Sequence, residues 1–324
     1  MNIYVIGSGN WGSTLAILFS KKNNVILWTI NDEETAKINA NRNNLNGLDV
    51  SLPDNIIVET KFSRKIKPSD IILIAVPSRK VSEVALELAK NGIKENILLN
   101  VSKGVETETL QTIQGIVKSH LPNIRFANLS GPTISKELAE GIPAKAVLAS
   151  RDLAVLFKLQ SALENDLLKF EFSRDVRGIE LAASMKGLIA IAVGVADGLG
   201  FKTNIFGLIM TYGLSEFETI MKFLGVSPKT VYSIAGIGDL ITTCISKNSR
   251  NRQFGNLLAE GYSTDDALKK VGMVVEGVSM AKTIRKLSKF NISIPLINFV
   301  AHIIFDDVDD IRKELIDTLN SISG

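Results

Sequence analysis

Ile3-Tyr4-Val5-Ile6-Gly7-Ser8-Gly9-Asn10-Trp11-Gly12-Ser13-Thr14-Leu15-Ala16 is the stretch that decides the fold class. A β-branched apolar run stops at Gly-x-Gly-x-x-Gly, and a helical pattern follows over Ser13–Lys21. Each glycine has a task in such a turn. The first permits the tight bend, the second lets backbone approach a pyrophosphate, and the third lets helix pack close to strand. The phosphates then sit at the positive end of a helix. In this strand–turn–helix context, Gly7, Gly9, Asn10, Trp11 and Gly12 are candidate dinucleotide-binding residues. A carboxylate about 20 residues beyond the fingerprint binds the ribose of NAD in these folds. Asp32 has that spacing, but Thr29-Ile30-Asn31 intervene, and no Arg or Lys stands there for a 2′-phosphate. The residues lean to NAD and leave NADP open.

Outward from that turn, short apolar runs alternate with amphipathic segments. Strands are expected at Ile3–Ile6, Val25–Trp28, Ile56–Glu59, Asp70–Val76, Asn96–Val101, Arg125–Leu129 and Lys145–Ala149, with helical segments such as Ser82–Lys90 and Glu108–Ser119 between several of them. Near-continuous apolar strands separated by helices imply a parallel sheet covered on both faces. From about Gly178 helical periodicity takes over. The expectation is an α/β, doubly wound, Rossmann-like N-terminal domain over 1–177, then an all-helical substrate domain over 178–324, with Phe172–Arg177 as the boundary. The acidic end, Asp306–Asn320, reads as an amphipathic surface helix.

Composition excludes several classes. The 324 residues suit two domains, and 45% hydrophobic with 22% charged residues is ordinary for a globular protein. The net charge of +3 comes from scattered Lys and Arg; the densest run, Lys61–Lys67, reads as a solvated turn or helix face, so no nucleic-acid partner is expected. A single cysteine, Cys244, rules out an intramolecular disulfide and fits a reducing cytoplasm. The N-terminus enters a strand with no charged leader. The longest apolar stretch, Gly187–Ala196, is about half of the ~20 residues a membrane span needs. A cytoplasmic protein without a membrane span is therefore expected. No His, Cys and carboxylate spacing suggests a metal, and His120 and His302 read as packed or surface residues.

Two segments of the helical half carry chemistry. Ala235–Gly255 combines two helix-breaking glycines, the lone carboxylate Asp239, and a basic stretch rich in hydroxyls and amides from Ser246 to Arg252. Backbone N–H groups, a planar guanidinium and neutral donors together suit an anion of phosphate size, although scattered charge on a solvated loop has the same composition. Lys186 is the only cation in the small-residue helix Glu180–Ala196. It either snorkels to water or faces a closed site as a proton donor. Lys103 lies just past a strand end, at the edge where doubly wound sheets bind ligands.

Taken together, the motifs resemble the bacterial-type NAD(P)-dependent glycerol-3-phosphate dehydrogenases. Gly7–Gly12, Ala75–Ser78, Ser102–Gly104, Ser130–Thr133 and Ala235–Gly255 carry the likeness, with Ala196–Phe201 and Val274–Gly277. The resemblance implies hydride transfer between NAD or NADP and C2 of dihydroxyacetone phosphate or sn-glycerol 3-phosphate, supplying phospholipid synthesis, in a homodimer. It implies that Lys186 is the proton donor and acceptor, that Lys103 lies near both cofactor and substrate, and that Asp239 orients the lysine and substrate. Gly131 and Thr133 would touch substrate, and Ser135 cofactor. Ser249, Arg250 and Asn251 would form the phosphate cradle, Arg250 also close to cofactor; Val274 and Glu276 would be cofactor-side. Relatives commonly follow the lysine with asparagine, whereas Gly187 stands here. Rival readings are a hydroxyacid or ketopantoate-type dehydrogenase, which would not need the 246–252 cradle, and a dinucleotide-sensing module, which needs no proton donor.

Overall fold

The computed structural model describes residues 1–43, 50–60, 65–106, 111–287, 290 and 292–322. Part of the basic run Lys61–Lys67 and the start of the helical segment Glu108–Ser119 therefore lie outside the described residues. The chain divides into two compact units. The first holds Met1–Lys103 and Gln111–Val176; the second holds Arg177–Gly324 together with the short segment that begins at Gly104.

Unit one is built on eight strands: β1 (Asn2–Ile6), β2 (Asn24–Trp28), β3 (Ile56–Glu59), β4 (Ile71–Ile74), β5 (Ile97–Asn100), β6 (Arg125–Ser130), β7 (Ala144–Ala149) and β8 (Leu168–Ser173). Their order in the sheet is β3-β2-β1-β4-β5-β6-β7-β8. Strands β1 to β6 run parallel, and Ile3, Val5, Val25, Leu27, Ile71, Leu73, Ile97 and Leu99 are all fully buried. Burying each such side chain contributes about 1.5–3 kcal/mol before conformational entropy is subtracted. The helices of this unit are α1 (Asn10–Ser20), α2 (Asp32–Asn41), α3 (Val81–Lys90), α4 (Ile113–His120), α5 (Ser135–Ala139) and α6 (Leu153–Leu163).

Two features depart from the expected all-parallel sheet of seven strands. β7 pairs antiparallel with β6, and an eighth strand, β8, pairs parallel with β7 at the edge. Leu168-Lys169-Phe170-Glu171 alternates buried and exposed, the period-2 signature of a half-covered strand. Its last residues, Phe172 and Ser173, fall inside the stretch expected to be a polar boundary.

Unit two is helical: α7 (Val176–Gly198), α8 (Thr203–Phe223), α9 (Asp239–Ile245), α10 (Arg250–Ala259), α11 (Thr264–Val271), α12 (Glu276–Leu287), α13 (Pro295–Phe305) and α14 (Ile311–Ser321). α7 has a mean hydropathy of 1.7 and the length to cross a membrane, but 94% of its apolar window is buried. It is the central helix of a protein core. The uninterrupted apolar stretch Gly187–Ala196 is the C-terminal part of this helix, and beyond Lys186 the buried Leu181, Ala182, Ala183 and Met185 carry its apolar character towards the N-terminus. Glu216 of α8 is buried and caps α13, accepting from the Leu296 and Ile297 N–H groups at 2.7 and 2.8 Å. Burial pushes its carboxyl up to about 7, against those two hydrogen bonds, which pull it down. His120 meets the Ser82 hydroxyl at 3.0 Å, and His302 meets Glu314 at 2.6 Å, each joining neighbouring helices.

Candidate active site

In unit one the glycine turn closes the C-terminal end of β1 against β4, where the strand order reverses. Ligands of doubly wound sheets bind in the crevice at that point. Gly7 has φ +115°, and a Cβ there would lie 2.5 Å from the Ala75 carbonyl oxygen. At Gly12 a Cβ would lie 2.0 Å from the Gly7 oxygen, so strand and helix approach too closely for any side chain. Gly9 is the N-cap of α1, and a Cβ there would meet nothing within 4 Å. That face is open for a ligand to approach the backbone.

Asn10 and Trp11 form the first turn of α1 rather than the loop before it, so the helix starts earlier than expected. The Asn10 Oδ1 is buried and has no hydrogen-bond partner among the described residues. A buried orphan of this kind costs about 1–3 kcal/mol. An open glycine N-cap with an unsatisfied amide beside it fits a dinucleotide whose phosphates and riboses complete those groups. The carboxylate that reaches this turn is Glu34, whose Oε1 accepts from the Ser8 hydroxyl. Asp32, which has the expected spacing, is exposed in the first turn of α2. Asn31-x-x-Glu34 has the capping-box spacing, and Asn31 accepts from the Glu34 N–H at 2.8 Å. Such spacing by itself would turn the Glu34 carboxylate back to the Asn31 N–H, so its contact with Ser8 is not written in the motif.

Lys103 is half-buried, three residues beyond β5. Gly131 follows β6 at φ +155°, and Thr133 donates to the Gly131 carbonyl at 3.2 Å. Ser135 opens α5, and its carbonyl accepts from Thr14 of α1 at 3.2 Å. The turn after β1, Lys103 and Gly131 thus follow the C-terminal ends of parallel strands and share one edge of the sheet.

In unit two the centre is Lys186, whose Nζ donates to Asp239 Oδ1. Both side chains are withdrawn from water, 13% and 3% exposed. Removing one member of such a pair costs about 3–5 kcal/mol, because the other is left charged and buried. Asp239 opens α9, where the helix dipole favours a carboxylate. The residues before it, Ile234–Gly238, form a single π-helical turn, so the glycines at 236 and 238 do not break the helix but widen it. Such turns are frequent at functional sites.

Small residues set the depth of this site. A Cβ at Gly194 would lie 2.1 Å from the Arg252 carbonyl oxygen, and one at Gly255 would lie 2.1 Å from that of Ile191. α7 and α10 therefore cross in backbone contact. Ser249 caps α10, accepting weakly from the Arg252 N–H at 3.4 Å. Arg250, the first helical residue, is exposed, and its guanidinium makes no hydrogen bond or ion pair among the described residues. Asn251 reaches α12: its Oδ1 accepts from the Gly277 N–H at 3.0 Å. Glu276 opens α12, half-buried, and Val274 just before it is 38% exposed. Arg252, by contrast, is consumed structurally by Asp197 at 2.9 Å and the carbonyls of Cys244 and Ile245. Burial pushes the Cys244 thiol up to about 12 against the positive charges of Lys186 and Arg252, so it stays neutral. Among the described residues no cluster of His, Cys, Asp and Glu could hold a metal.

Residues 2–156 match the family model described as NAD-dependent glycerol-3-phosphate dehydrogenase N-terminus, and residues 175–312 match its C-terminus. A glycerol-3-phosphate dehydrogenase [NAD(P)+] of Thermoanaerobacter sp. (strain X514) is 37% identical over 308 residues, 94% of this chain and 93% of the relative. The chain belongs to the NAD-dependent glycerol-3-phosphate dehydrogenase family. A second member, from Fusobacterium nucleatum, is also 37% identical, over 95% of this chain and 93% of its own length. The crystal structure of glycerol-3-phosphate dehydrogenase from Coxiella burnetii superposes with a TM-score of 0.91 at 27% identity, covering 98% of each chain. This family membership disfavours the hydroxyacid, ketopantoate and sensor readings.

Proposed function

We propose that this member of the family catalyses reversible hydride transfer between NAD(P)H and dihydroxyacetone phosphate, forming sn-glycerol 3-phosphate for phospholipid synthesis, as a cytoplasmic homodimer. The observation that carries the reading is the buried Lys186–Asp239 pair, with Gly187, the residue after the lysine, close to Asn251 in the first turn of α10. The bound nicotinamide supplies or accepts the hydride. Lys186 gives a proton to the carbonyl oxygen on reduction and takes the hydroxyl proton on oxidation, the service a positioned general acid–base performs. Asp239 holds the ammonium in place. Lys103 polarises the same oxygen, and Gly131 and Thr133 line the substrate. The Ser249–Asn251 cap offers helix N–H groups to the phosphate, and the uncommitted guanidinium of Arg250 adds a bidentate donor. Gly7, Gly9, Asn10, Trp11, Gly12, Ser135, Val274 and Glu276 contact the dinucleotide.

Because the phosphate is remote from the reacting carbon, its binding energy serves orientation as well as affinity. The test is NADH oxidation followed by absorbance with dihydroxyacetone phosphate and with unphosphorylated dihydroxyacetone, then again with NADPH. Activity on the phosphorylated ketone alone is expected. Arg250→Ala is expected to weaken that substrate far more than NADH; equal losses would mean that the phosphate has been misplaced.

A further inference from the structure

Lys103 is flanked by two backbone anchors that its role in the reaction does not require by itself. On the N-terminal side is Asn100, fully buried at the last position of β5. Its Oδ1 accepts from the Ser102 N–H at 3.1 Å, and its Nδ2 donates to the Ser102 carbonyl at 2.9 Å and to Asn128 Oδ1 at 2.7 Å. Asn100 and Asn128 are register partners on β5 and β6, and Asn128 is 2% exposed. Asparagine is disfavoured in strands, and a buried amide costs stability unless its bonds are made. An apolar pair would serve the sheet better at this register. The amide pair instead grips both the N–H and the carbonyl of Ser102, the residue before Lys103.

On the C-terminal side the Gly104 N–H donates to Ser184 Oγ at 3.0 Å. Ser184 in turn donates to the Glu180 carbonyl at 2.7 Å, which fixes its rotamer along α7. Ser184 is two residues before Lys186 on that helix. Both peptide groups beside Lys103 are therefore bonded to buried side chains with few alternatives.

We propose that Asn100, braced by Asn128, and Ser184 are positioning residues that fix the backbone on both sides of Lys103 and so set where its ammonium acts. The proposal rests on Lys103 being a residue of the reaction site. A displacement of about 1 Å in a catalytic group lowers turnover by up to ~10²-fold. Asn100→Ala and Ser184→Ala are made in the wild-type and in the Lys103→Ala backgrounds. Turnover is measured with NADH and dihydroxyacetone phosphate, alongside KM and thermal stability.

In the wild-type background Asn100→Ala is expected to lower kcat by about 10- to 100-fold with a smaller change in KM. In the Lys103→Ala background the same substitution is expected to cost no more than about twofold, because it has no ammonium left to displace. Ser184→Thr keeps the hydroxyl and is expected to restore most of what Ser184→Ala loses. Equal losses in both backgrounds, or none in the wild type, overturn the proposal. Should Asn100→Ala fail to fold, Ser184→Ala decides, since alanine is the best helix former at that place. A Lys103→Ala enzyme within about twofold of the wild type would instead remove Lys103 from the site. That outcome is distinct from a strongly impaired Lys103→Ala enzyme whose anchors prove indifferent.

Discussion

Gly187→Ala brings two opposing magnitudes together at the residue after Lys186. Alanine in place of glycine inside a helix stabilises by about 1 kcal/mol. The new Cβ, however, would lie 3.0 Å from Gly277 Cα, 3.1 Å from Gly277 N and 3.2 Å from Asn251 Nδ2. Two of these three neighbours are backbone and cannot rotate away. Overpacking of this kind costs about 1–3 kcal/mol, so the net expectation is a loss of up to about 2 kcal/mol. For a unit of this size the upper end of that loss corresponds to a Tm lowered by about 4–8 °C. Function suffers as well as stability. The start of α12 must yield by a few tenths of an ångström, which stretches the 3.0 Å bond from Gly277 to Asn251 and shifts Asn251 itself. The KM for dihydroxyacetone phosphate is then expected to rise by about tenfold, the loss of roughly one hydrogen bond's worth of alignment. Thermal melts and steady-state kinetics on the same preparation check both numbers. A variant that melts higher than the wild type with unchanged KM would refute the reasoning, since helix propensity alone would then govern this position.

Further outcomes follow from the same geometry. Lys186→Ala is expected to lower turnover by about 10²–10⁴-fold, the scale of a general acid, with NADH binding by fluorescence little changed; near-normal turnover removes Lys186 from the role. Gly12→Ala places a Cβ 2.0 Å from the Gly7 oxygen, so the turn must open; NADH binding is expected to weaken by about tenfold or more, measured by titration. Glu216 has its carboxyl raised from 4.5 to about 7, so the folded state binds the extra proton. Stability is therefore expected to fall by about 3 kcal/mol as pH rises from about 4.5 through 7, and to level off above. In Glu216→Gln that slope disappears; parallel Tm–pH curves for the two proteins would refute the assignment.

The sequence alone determined what depends on short spacings along the chain. The turn Gly7–Gly12 between a strand and a helix, the apolar strands β1 to β7, and the change to helical periodicity near Gly178 are set by backbone sterics and by the periods of 2 and 3.6, which act locally. β8 was legible in principle, since Leu168–Glu171 alternates, although its last residues, Phe172 and Ser173, fall inside the expected boundary. Tertiary structure decided the rest. Nothing in the sequence spacing joins Lys186 to Asp239, 53 residues apart, or gives Arg252 to Asp197 while Arg250 stays uncommitted. The Arg252–Asp197 pairing follows because Gly194 and Gly255 let α7 and α10 touch backbone to backbone, and the Lys186–Asp239 pairing joins α7 to the separate helix α9. Likewise Glu34 rather than Asp32 meets the nucleotide turn because the cap at Asn31 sets the rotation of α2. Helix rotation and depth are settled by close packing against distant elements, and a single chain of letters carries no record of those neighbours.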